Sequence, residues 1–180
     1  MSEKKKTIDL GCGPRKVEGS FGVDSYQYDG VDLVCDLNQS KWPIADNSFD
    51  VIYARHFIEH IDDAVAFLRE VHRIGKSGAE VHIITPHFSS AGSWGDITHL
   101  RHLSAKWHVS FTCEKHYLSQ KLPQFSLVSN QIEFSHPKKL RNRITQFIIK
   151  NSGLHKWERR WAFIFRGDNI YTVLKIVKDK

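Results

Sequence analysis

The chain has 180 residues, of which 41% are hydrophobic and 26% charged, and its net charge is +6. This size suits a single domain over residues 1–180 and is too small for two domains of ordinary size. No apolar run approaches the roughly 20 residues that cross a bilayer, and the start of the chain has no signal-peptide core. The three cysteines form no C-x-x-C pair and favour free thiols, which indicates a cytoplasmic protein. We expect the protein to be a monomer or a homodimer.

Seven short apolar runs, separated by polar residues, predict β-strands. They are Thr7–Leu10, Phe21–Val23, Val31–Val34, Val51–Ala54, Glu80–Thr85, Ser126–Phe134 and Ile170–Val177. The first connections are short, since only about ten residues separate Gly11 from Gly22. The helices that usually cover the first strands of an α/β sheet must therefore be reduced to turns.

Between the fourth and fifth strands, apolar residues recur at helical spacing over residues 64–74. Asp62 and Asp63 lie at the start of this predicted helix, and Gly75 marks its end. A strand, a helix and a second strand form a crossover unit, which implies a parallel sheet covered on both faces. No such unit links the last two strands, so we expect them to be antiparallel, with residues 135–169 inserted between them.

The inserted segment carries most of the positive charge, since residues 136–170 contain nine basic residues and two acidic ones. Residues 138–153 predict a basic amphipathic helix that ends at Gly153. One face of it carries Leu140, Ile144, Phe147 and Ile148. This helix suits peripheral membrane contact through residues 138–150, and the basic and aromatic run around Arg159 suits an anionic acceptor, a lipid headgroup or RNA. Solvated charge and aromatic packing onto the core are the alternatives.

A glycine motif follows the first strand. The sequence IDLGCG places Asp9 on the strand and Gly11, Cys12 and Gly13 where it ends. Glycines there let the backbone approach a ligand closely, and unpaired amides at the turn can bind a carboxylate as readily as a phosphate. Alone, the motif is equally typical of a tight turn, and the third glycine of the dinucleotide fingerprint is missing.

Further motifs end the next three strands. The second strand ends at Asp24 and Ser25, where a carboxylate can accept both hydroxyls of a ribose. The third ends at Asp36 and Leu37, a pairing suited to the amino group and ring face of adenine, and the fourth ends at Ala54 in FDVIYARHFIEH. Each acid by itself is also typical of a surface residue. Together they lie at the carboxyl ends of successive strands, where open α/β sheets bind ligands.

In combination these motifs resemble the class I S-adenosylmethionine-dependent methyltransferases, in particular the small branch with an LGCG loop and an EH pair after the fourth strand. The likeness covers residues 7–134 and implies a Rossmann-like, mostly parallel seven-stranded α/β sheet with an antiparallel last strand. It implies S-adenosylmethionine as cofactor, held by Asp9, Gly11, Cys12 and Gly13 at the methionine part, Asp24 and Ser25 at the ribose, Asp36 and Leu37 at the adenine, and Ala54, Arg55 and His56 below the methyl group. Glu59 and His60 suit either a place near the acceptor or a role in helix packing.

A histidine-rich loop after the fifth strand should lie over the cofactor. Together with Arg159, its candidate acceptor-binding residues are His87, Trp94, Asp96, His99, Arg101 and His102. Three interpretations stay open: acceptor binding with general-base catalysis, a divalent metal site of irregular spacing, and histidines that only satisfy loop backbone groups. The PHF and TH sequences are similar to the active-site rim of one methyltransferase branch, which favours the first interpretation, and no metal site is assigned.

The resemblance implies methyl transfer by in-line displacement to a small, anionic or polar acceptor. His87, His99 and His56 are the candidate bases. Two rivals are a cofactor-binding scaffold without catalysis and an RNA methyltransferase. The fourth strand lacks an N-P-P-Y-type motif and the chain has no added RNA-binding domain, which disfavours nucleic acid as a partner.

Overall fold

The structure is a computed structural model that describes residues 5–178. Its strands are β1 (Thr7–Leu10), β2 (Phe21–Asp24), β3 (Leu33–Val34), β4 (Phe49–Arg55), β5 (Gly75–Pro86), β6 (Phe125–Glu133) and β7 (Asn169–Ile176). They form one sheet in the order β3-β2-β1-β4-β5-β7-β6. All neighbouring pairs are parallel except the two that β7 makes with β5 and β6. The predicted mostly parallel sheet with an antiparallel last strand is confirmed.

Five helices connect or cover these strands in the part of the chain from residue 5 to residue 178. They are α1 (Ala64–Ile74), α2 (Ala91–Gly95), α3 (Val109–Thr112), α4 (Leu140–Ser152) and α5 (Leu154–Trp161). Residues 11–20, between β1 and β2, contain turns and no helix. The expected loss of the first covering helix is therefore confirmed.

The predicted crossover helix is α1. The carboxylate of Asp63 caps it by accepting hydrogen bonds from two first-turn amides at 2.8 and 3.0 Å. The helix ends at Gly75, where β5 begins at once, earlier than the Glu80 start that the sequence predicted. A side chain at Gly75 would place its Cβ 2.2 Å from the Cδ1 atom of Ile176, so a glycine lets helix, strand and β7 meet closely.

The hydrophobic core lies along the central strands. Ile8, Ile52 and Ile83 of β1, β4 and β5 are fully buried, as expected for parallel strands covered on both faces. The edge strand β6 instead exposes most of its residues. Within residues 5–178, no helix has the length and apolarity that a membrane span requires.

The amphipathic helix α4 forms as predicted and ends at Gly153, whose φ of 84° suits a glycine. Its buried side chains are Asn142 and Thr145. By contrast, Leu140 is 72% exposed and Phe147 is 67% exposed. The helix therefore turns a polar face to the protein and its apolar stripe to solvent.

Candidate active site

The predicted motifs meet at one edge of the sheet. In the register of the parallel strands, Leu10 of β1 pairs with Val23 of β2 and with Ala54 of β4. Asp24, at the end of β2, pairs with Val34 of β3. The strand ends that carry the glycine motif, Asp24, Asp36 and His56 are therefore neighbours, at the edge where open α/β sheets bind ligands.

The glycine loop is built for close approach of another group. Gly11 and Gly13 have φ values of 65° and 51°, in the left-handed region that favours glycine. A Cβ on Gly11 would overlap the ring of Phe57 at 2.0 Å. The Gly13 amide donates to Asp24 Oδ2 at 2.8 Å, and the Tyr26 amide donates to Asp24 Oδ1 at 3.0 Å. Since each carboxylate oxygen has two lone pairs, Asp24 fixes the loop and can still accept from a ligand.

An ion pair beneath the loop joins β1 to β4. Asp9 is fully buried, and its Oδ2 accepts from the Arg55 guanidinium and from the Val17 amide, both at 2.8 Å. Arg55 also donates to the carbonyl of Arg15 at 2.5 Å. Two buried atoms of the pair, Asp9 Oδ1 and Arg55 Nε, have no hydrogen-bond partner. Because buried polar atoms are normally paired, they indicate a polar ligand at this place.

A cavity of about 320 Å³ opens beside this loop and ion pair. Its walls are Cys12, Arg15, Arg55, His56, Ile84, Glu133 and Asn169. Burial raises the pKa of the Cys12 thiol, and the nearby carboxylates of Asp9 and Asp24 raise it further, so the thiol stays neutral at pH 7. The sequence motifs missed Arg15, Glu133 and Asn169, because the last two come from β6 and β7, far along the chain.

Asp36 and Leu37, the two residues predicted to hold the adenine, differ in their exposure. Asp36 is exposed and accepts from the Asn38 amide at 2.9 Å, which leaves its other oxygen for a ligand. Leu37 packs in the hydrophobic core, where its carbonyl accepts from Trp42 Nε1 at 3.2 Å. Ala54 is fully buried as well. The expected ligand contacts of the Leu37 and Ala54 side chains stay predictions, and the structure places both side chains in the core.

A larger cavity, of about 650 Å³, lies beyond His56 under the histidine-rich loop. Its walls include His56, Glu59, His60, Pro86, Asp96, His99, Ser135, His136, Lys139, Arg141, Asn142, Asp168 and Asn169. His56 and Asn169 also line the smaller cavity, so the two cavities share a wall. The His56 side chain is about half exposed, and its Nδ1 lies 3.6 Å from Glu59 Oε1.

Three side chains in this cavity form a tight cluster. Glu59, His60 and His99 offer ligand atoms that all lie within 4.8 Å of one another. The rings of His60 and His99 meet edge to face, with centroids 4.7 Å apart. The sequence placed His99 at the acceptor and left Glu59 and His60 undecided, because the turn that joins them to the loop was not predictable.

A protein family described as "Methyltransferase domain" matches residues 2–128 of the chain. The chain belongs to this methyltransferase family. Its sheet is that of the class I S-adenosylmethionine-dependent methyltransferases, as the sequence resemblance implied. No curated protein sequence matches it significantly.

Solved structures share the fold of this methyltransferase domain. A putative methyltransferase from Bacillus halodurans is 13% identical, with a TM-score of 0.61 over 97% of this chain and 94% of that one. The [4+2]-cyclase SpnF is 16% identical, with a TM-score of 0.60 over 97% and 76%. A Haemonchus contortus phosphoethanolamine N-methyltransferase, solved with phosphomonomethylethanolamine and S-adenosylhomocysteine, is 16% identical, with a TM-score of 0.55 over 100% and 50%. Such identities show the fold alone.

His87 of the methyltransferase domain is not at the rim of the site. It is fully buried, with Nε2 2.9 Å from Glu158 Oε1 and Nδ1 2.8 Å from Ser89 Oγ. Burial raises the pKa of Glu158, but hydrogen bonds from His87 and from the Ala105 amide outweigh it and hold that pKa below its usual value. The role of His87 as an acceptor-binding base stays a prediction, and in the structure both of its nitrogens have buried partners.

The other predicted loop residues divide into two groups. Asp96 and His99 line the larger cavity. Trp94 and His102 stack on each other with centroids 3.5 Å apart, and Arg101 donates to the carbonyls of the turn before α1. The structure does not place Trp94, Arg101, His102 or Arg159 among the residues that line the larger cavity, so their part in acceptor binding stays a prediction without support from this cavity. Their place is taken by Lys139 and Arg141, which the sequence signalled only as a charge cluster.

One further cavity has the same volume, about 650 Å³, but lies at the opposite edge of the sheet. Its walls include His72, Leu122 and Val177. None of the motifs at the strand ends reaches it. The pair of cavities that meet at His56 is therefore the candidate active site.

Proposed function

We propose that this methyltransferase domain uses S-adenosylmethionine to methylate a small, anionic or polar acceptor in the cytoplasm. One observation carries the proposal: the cavity beside the glycine loop and the larger cavity share His56 and Asn169 as a wall. Methyl transfer is an in-line displacement, so donor and acceptor must approach from opposite sides of one point. Because the two cavities meet at one wall, one can hold the donor and the other the acceptor.

The smaller cavity suits the amino-acid end of S-adenosylmethionine. Arg15 and Arg55 present guanidinium groups, which bind carboxylates with paired hydrogen bonds. The unpartnered Asp9 Oδ1 would accept from the ammonium group. Asp24 would accept from the ribose hydroxyls and Asp36 from the adenine amino group. When bound, the cofactor supplies an electrophilic methyl group on a positively charged sulfur.

The larger cavity suits an acceptor with a carboxylate or phosphate group. Lys139 and Arg141 supply positive charge that can form charge-assisted hydrogen bonds to such a group, although Arg141 also lies 3.5 Å from the carboxylate of Asp168. His56 lies at the shared wall with a half-exposed ring, so we propose that it accepts the proton of an acceptor hydroxyl or amine. The chain then needs only to orient the acceptor, exclude water and accept that proton.

Cofactor binding is tested by titration calorimetry of ligand-free protein with S-adenosylhomocysteine. We expect Asp24→Ala to weaken binding by at least about tenfold, because a hydrogen bond to a charged group contributes roughly 1.5–3 kcal/mol. Asp29→Ala, which removes an exposed carboxylate from the next loop, is the control and should bind normally. No heat from the unaltered protein with either S-adenosylmethionine or S-adenosylhomocysteine would overturn the proposal.

Cofactor binding alone does not establish methyl transfer, because the [4+2]-cyclase SpnF has the same fold. Release of S-adenosylhomocysteine in the presence of phosphorylated or carboxylated acceptors would support methyl transfer. Cofactor binding without consumption by any acceptor would favour the scaffold alternative. RNA binding that falls steeply with salt would favour an RNA substrate instead.

We also propose that the domain contacts membranes peripherally through residues 138–150. The outer stripe of α4, defined as Leu140, Ile144 and Phe147, is exposed on one side of the helix. Arg143 and Lys150 are exposed one turn before and one turn after Phe147. Apolar side chains flanked by cations are typical of helices that lie in the headgroup region of anionic membranes. Charge complementarity therefore favours an anionic lipid surface.

This contact would bring the larger cavity close to a membrane-borne acceptor, since Lys139 and Arg141 of the cavity wall adjoin the outer stripe in sequence. Sedimentation with phosphatidylcholine vesicles, with and without phosphatidylglycerol, tests it. We expect binding only to the anionic vesicles, and the variant with Leu140→Ser and Phe147→Ser should lose at least about tenfold in affinity, because burying one such side chain contributes roughly 1.5–3 kcal/mol. Val128→Ser, an exposed apolar residue on β6, is the control. Equal binding to neutral vesicles, or unchanged binding of the stripe variant, would contradict the proposal.

A further inference from the structure

We infer that Glu59, His60 and His99 form a binding site for a divalent transition-metal ion of the zinc class in the wall of the larger cavity. Their ligand atoms lie within 4.8 Å of one another, and all three side chains border the cavity. Two imidazoles and one carboxylate are the donor set of several catalytic zinc sites, which leave a further position open. The hydrogen bonds of the cluster show which of its nitrogens carry protons.

His99 presents a nitrogen lone pair to the cluster. Its Nδ1 lies 2.9 Å from the carbonyl oxygen of Ser93. A carbonyl can only accept, so Nδ1 carries the proton and donates it. The neutral ring therefore has its lone pair on Nε2, which is the arrangement of a metal-binding histidine whose other nitrogen is held by a backbone carbonyl.

The same reasoning applies to His60 through Thr98. The Thr98 hydroxyl lies 2.6 Å from Asp96 Oδ1 and 2.9 Å from His60 Nδ1. An ionised carboxylate can only accept, so the hydroxyl proton points to Asp96 and the hydroxyl oxygen accepts from His60 Nδ1. The lone pair of His60 is thus on Nε2 as well.

Glu59 adds a third group that can only accept when ionised. Its side chain is 1% exposed, and both carboxylate oxygens are buried without a hydrogen-bond partner. Its ion pair with His56 Nδ1 spans 3.6 Å, which is too long for a hydrogen bond. A buried carboxylate without a donor is costly unless a cation compensates it. Three side chains that can each offer an electron pair therefore lie together, and a metal ion would compensate the buried carboxylate.

The backbone holds the two halves of the cluster together. Glu59 and His60 lie in the turn after β4, whereas His99 lies in the loop after α2, and the Leu100 amide donates to the Glu59 carbonyl at 2.9 Å. Arg101 joins the same two segments by donating to the carbonyl of Ile58 at 2.6 Å. Such support from a second layer of hydrogen bonds is what an ordered metal site requires.

Asp96 lies next to the cluster and offers a fourth donor atom, a carboxylate oxygen. One of its oxygens is held by Thr98, and the other, Oδ2, lies 3.9 Å from His99 Nε2. The remaining position would open to the cavity. There the ion would orient an oxygen of the acceptor and lower the pKa of its hydroxyl, whose proton His56 would accept. This role rests on the proposed methyl transfer, whereas binding of the ion does not.

Zinc binding is tested on chelator-treated protein without cofactor, by calorimetric titration with Zn²⁺ and by the visible absorption of added Co²⁺. We expect one ion per chain. Glu59→Gln and His99→Ala should each weaken zinc affinity by at least about tenfold, a loss that even second-layer substitutions often cause at metal sites. His116→Ala, a histidine outside the cluster, is the control and should bind zinc normally.

The outcomes separate this inference from the proposed function. Glu59→Gln keeps the shape of the side chain, and S-adenosylhomocysteine binding by the same variant reports that it is folded. No zinc binding, or equal affinity in Glu59→Gln, His99→Ala and the unaltered protein, would overturn the metal site even if the cofactor binds. Zinc binding without cofactor binding would support the site and overturn the proposed S-adenosylmethionine-dependent function.

Discussion

Among single residues, Glu70 shows how a buried carboxylate can fix the loop before β4 to helix α1. Its Oε2 accepts from the Trp42 amide at 2.8 Å and from the Arg73 guanidinium at 2.6 Å. Burial raises the pKa of Glu70, but the hydrogen bonds from Arg73 and Trp42 outweigh burial and hold that pKa below its ordinary value of 4.5. The ionised form therefore stabilises the segment that leads from β3 into β4.

Glu70→Gln should lower the free energy of unfolding at pH 7 by about 2 kcal/mol, because hydrogen bonds to charged groups contribute roughly 1.5–3 kcal/mol. Since the pKa is lower in the folded state than in the unfolded state, this stabilisation is complete above pH 4.5 and is lost as the pH falls through the folded value. Urea unfolding at pH 7, 5 and 3.5 measures it, with exposed Glu18→Gln as control. A difference between variant and unaltered protein that stays constant with pH would contradict this account.

The sequence predicted that the strand-end residues of the candidate site lie at one edge of the sheet, and the structure places them there, whereas their contacts with a cofactor stay predictions. Gly11 and Asp24 follow their strands directly, so their places depend on local sequence. The burial of Leu37 and His87 was not predicted, because it depends on contacts outside the local sequence: Glu158, which holds His87, is 71 residues away. Residue type alone cannot distinguish a buried anchor from a base at a cavity rim.

At the level of elements, short apolar runs predicted all seven strands, but pairing set their lengths. The first residues of β5, from Gly75 to Ala79, carry no apolar run, and the sequence predicted only that the helix ends at Gly75. They extend the strand because Gly75 pairs with Phe49 of β4. Similarly, the pattern of α4 predicted a helix but not its orientation, which follows from Asn142 donating to the His136 carbonyl at 2.9 Å.

For the whole molecule, the question is whether α4 and α5 unfold together with the sheet. Trp157 of α5 is fully buried, with its ring 5.2 Å from that of His87. The neighbouring Glu158 accepts from the Ala105 amide at 2.5 Å and pairs with His87 at 2.9 Å. These two residues link the insertion to the segments that follow β5. Since α4 also contributes Arg141 to the larger cavity, the order of the active site depends on this link.

Glu158→Ala should uncouple the insertion without unfolding the sheet. Two charge-assisted bonds are lost, each contributing roughly 1.5–3 kcal/mol, so amide hydrogen exchange in α4 and α5 should become at least about tenfold faster while exchange in α1 and β4 stays unchanged. Hydrogen exchange followed by mass spectrometry of peptides measures both regions in one sample. Arg160→Ala, an exposed change on the same helix, should leave every region as it was. If Glu158→Ala instead accelerates exchange equally in α1 and in α5, the domain unfolds as a single unit and the insertion has no local opening of its own.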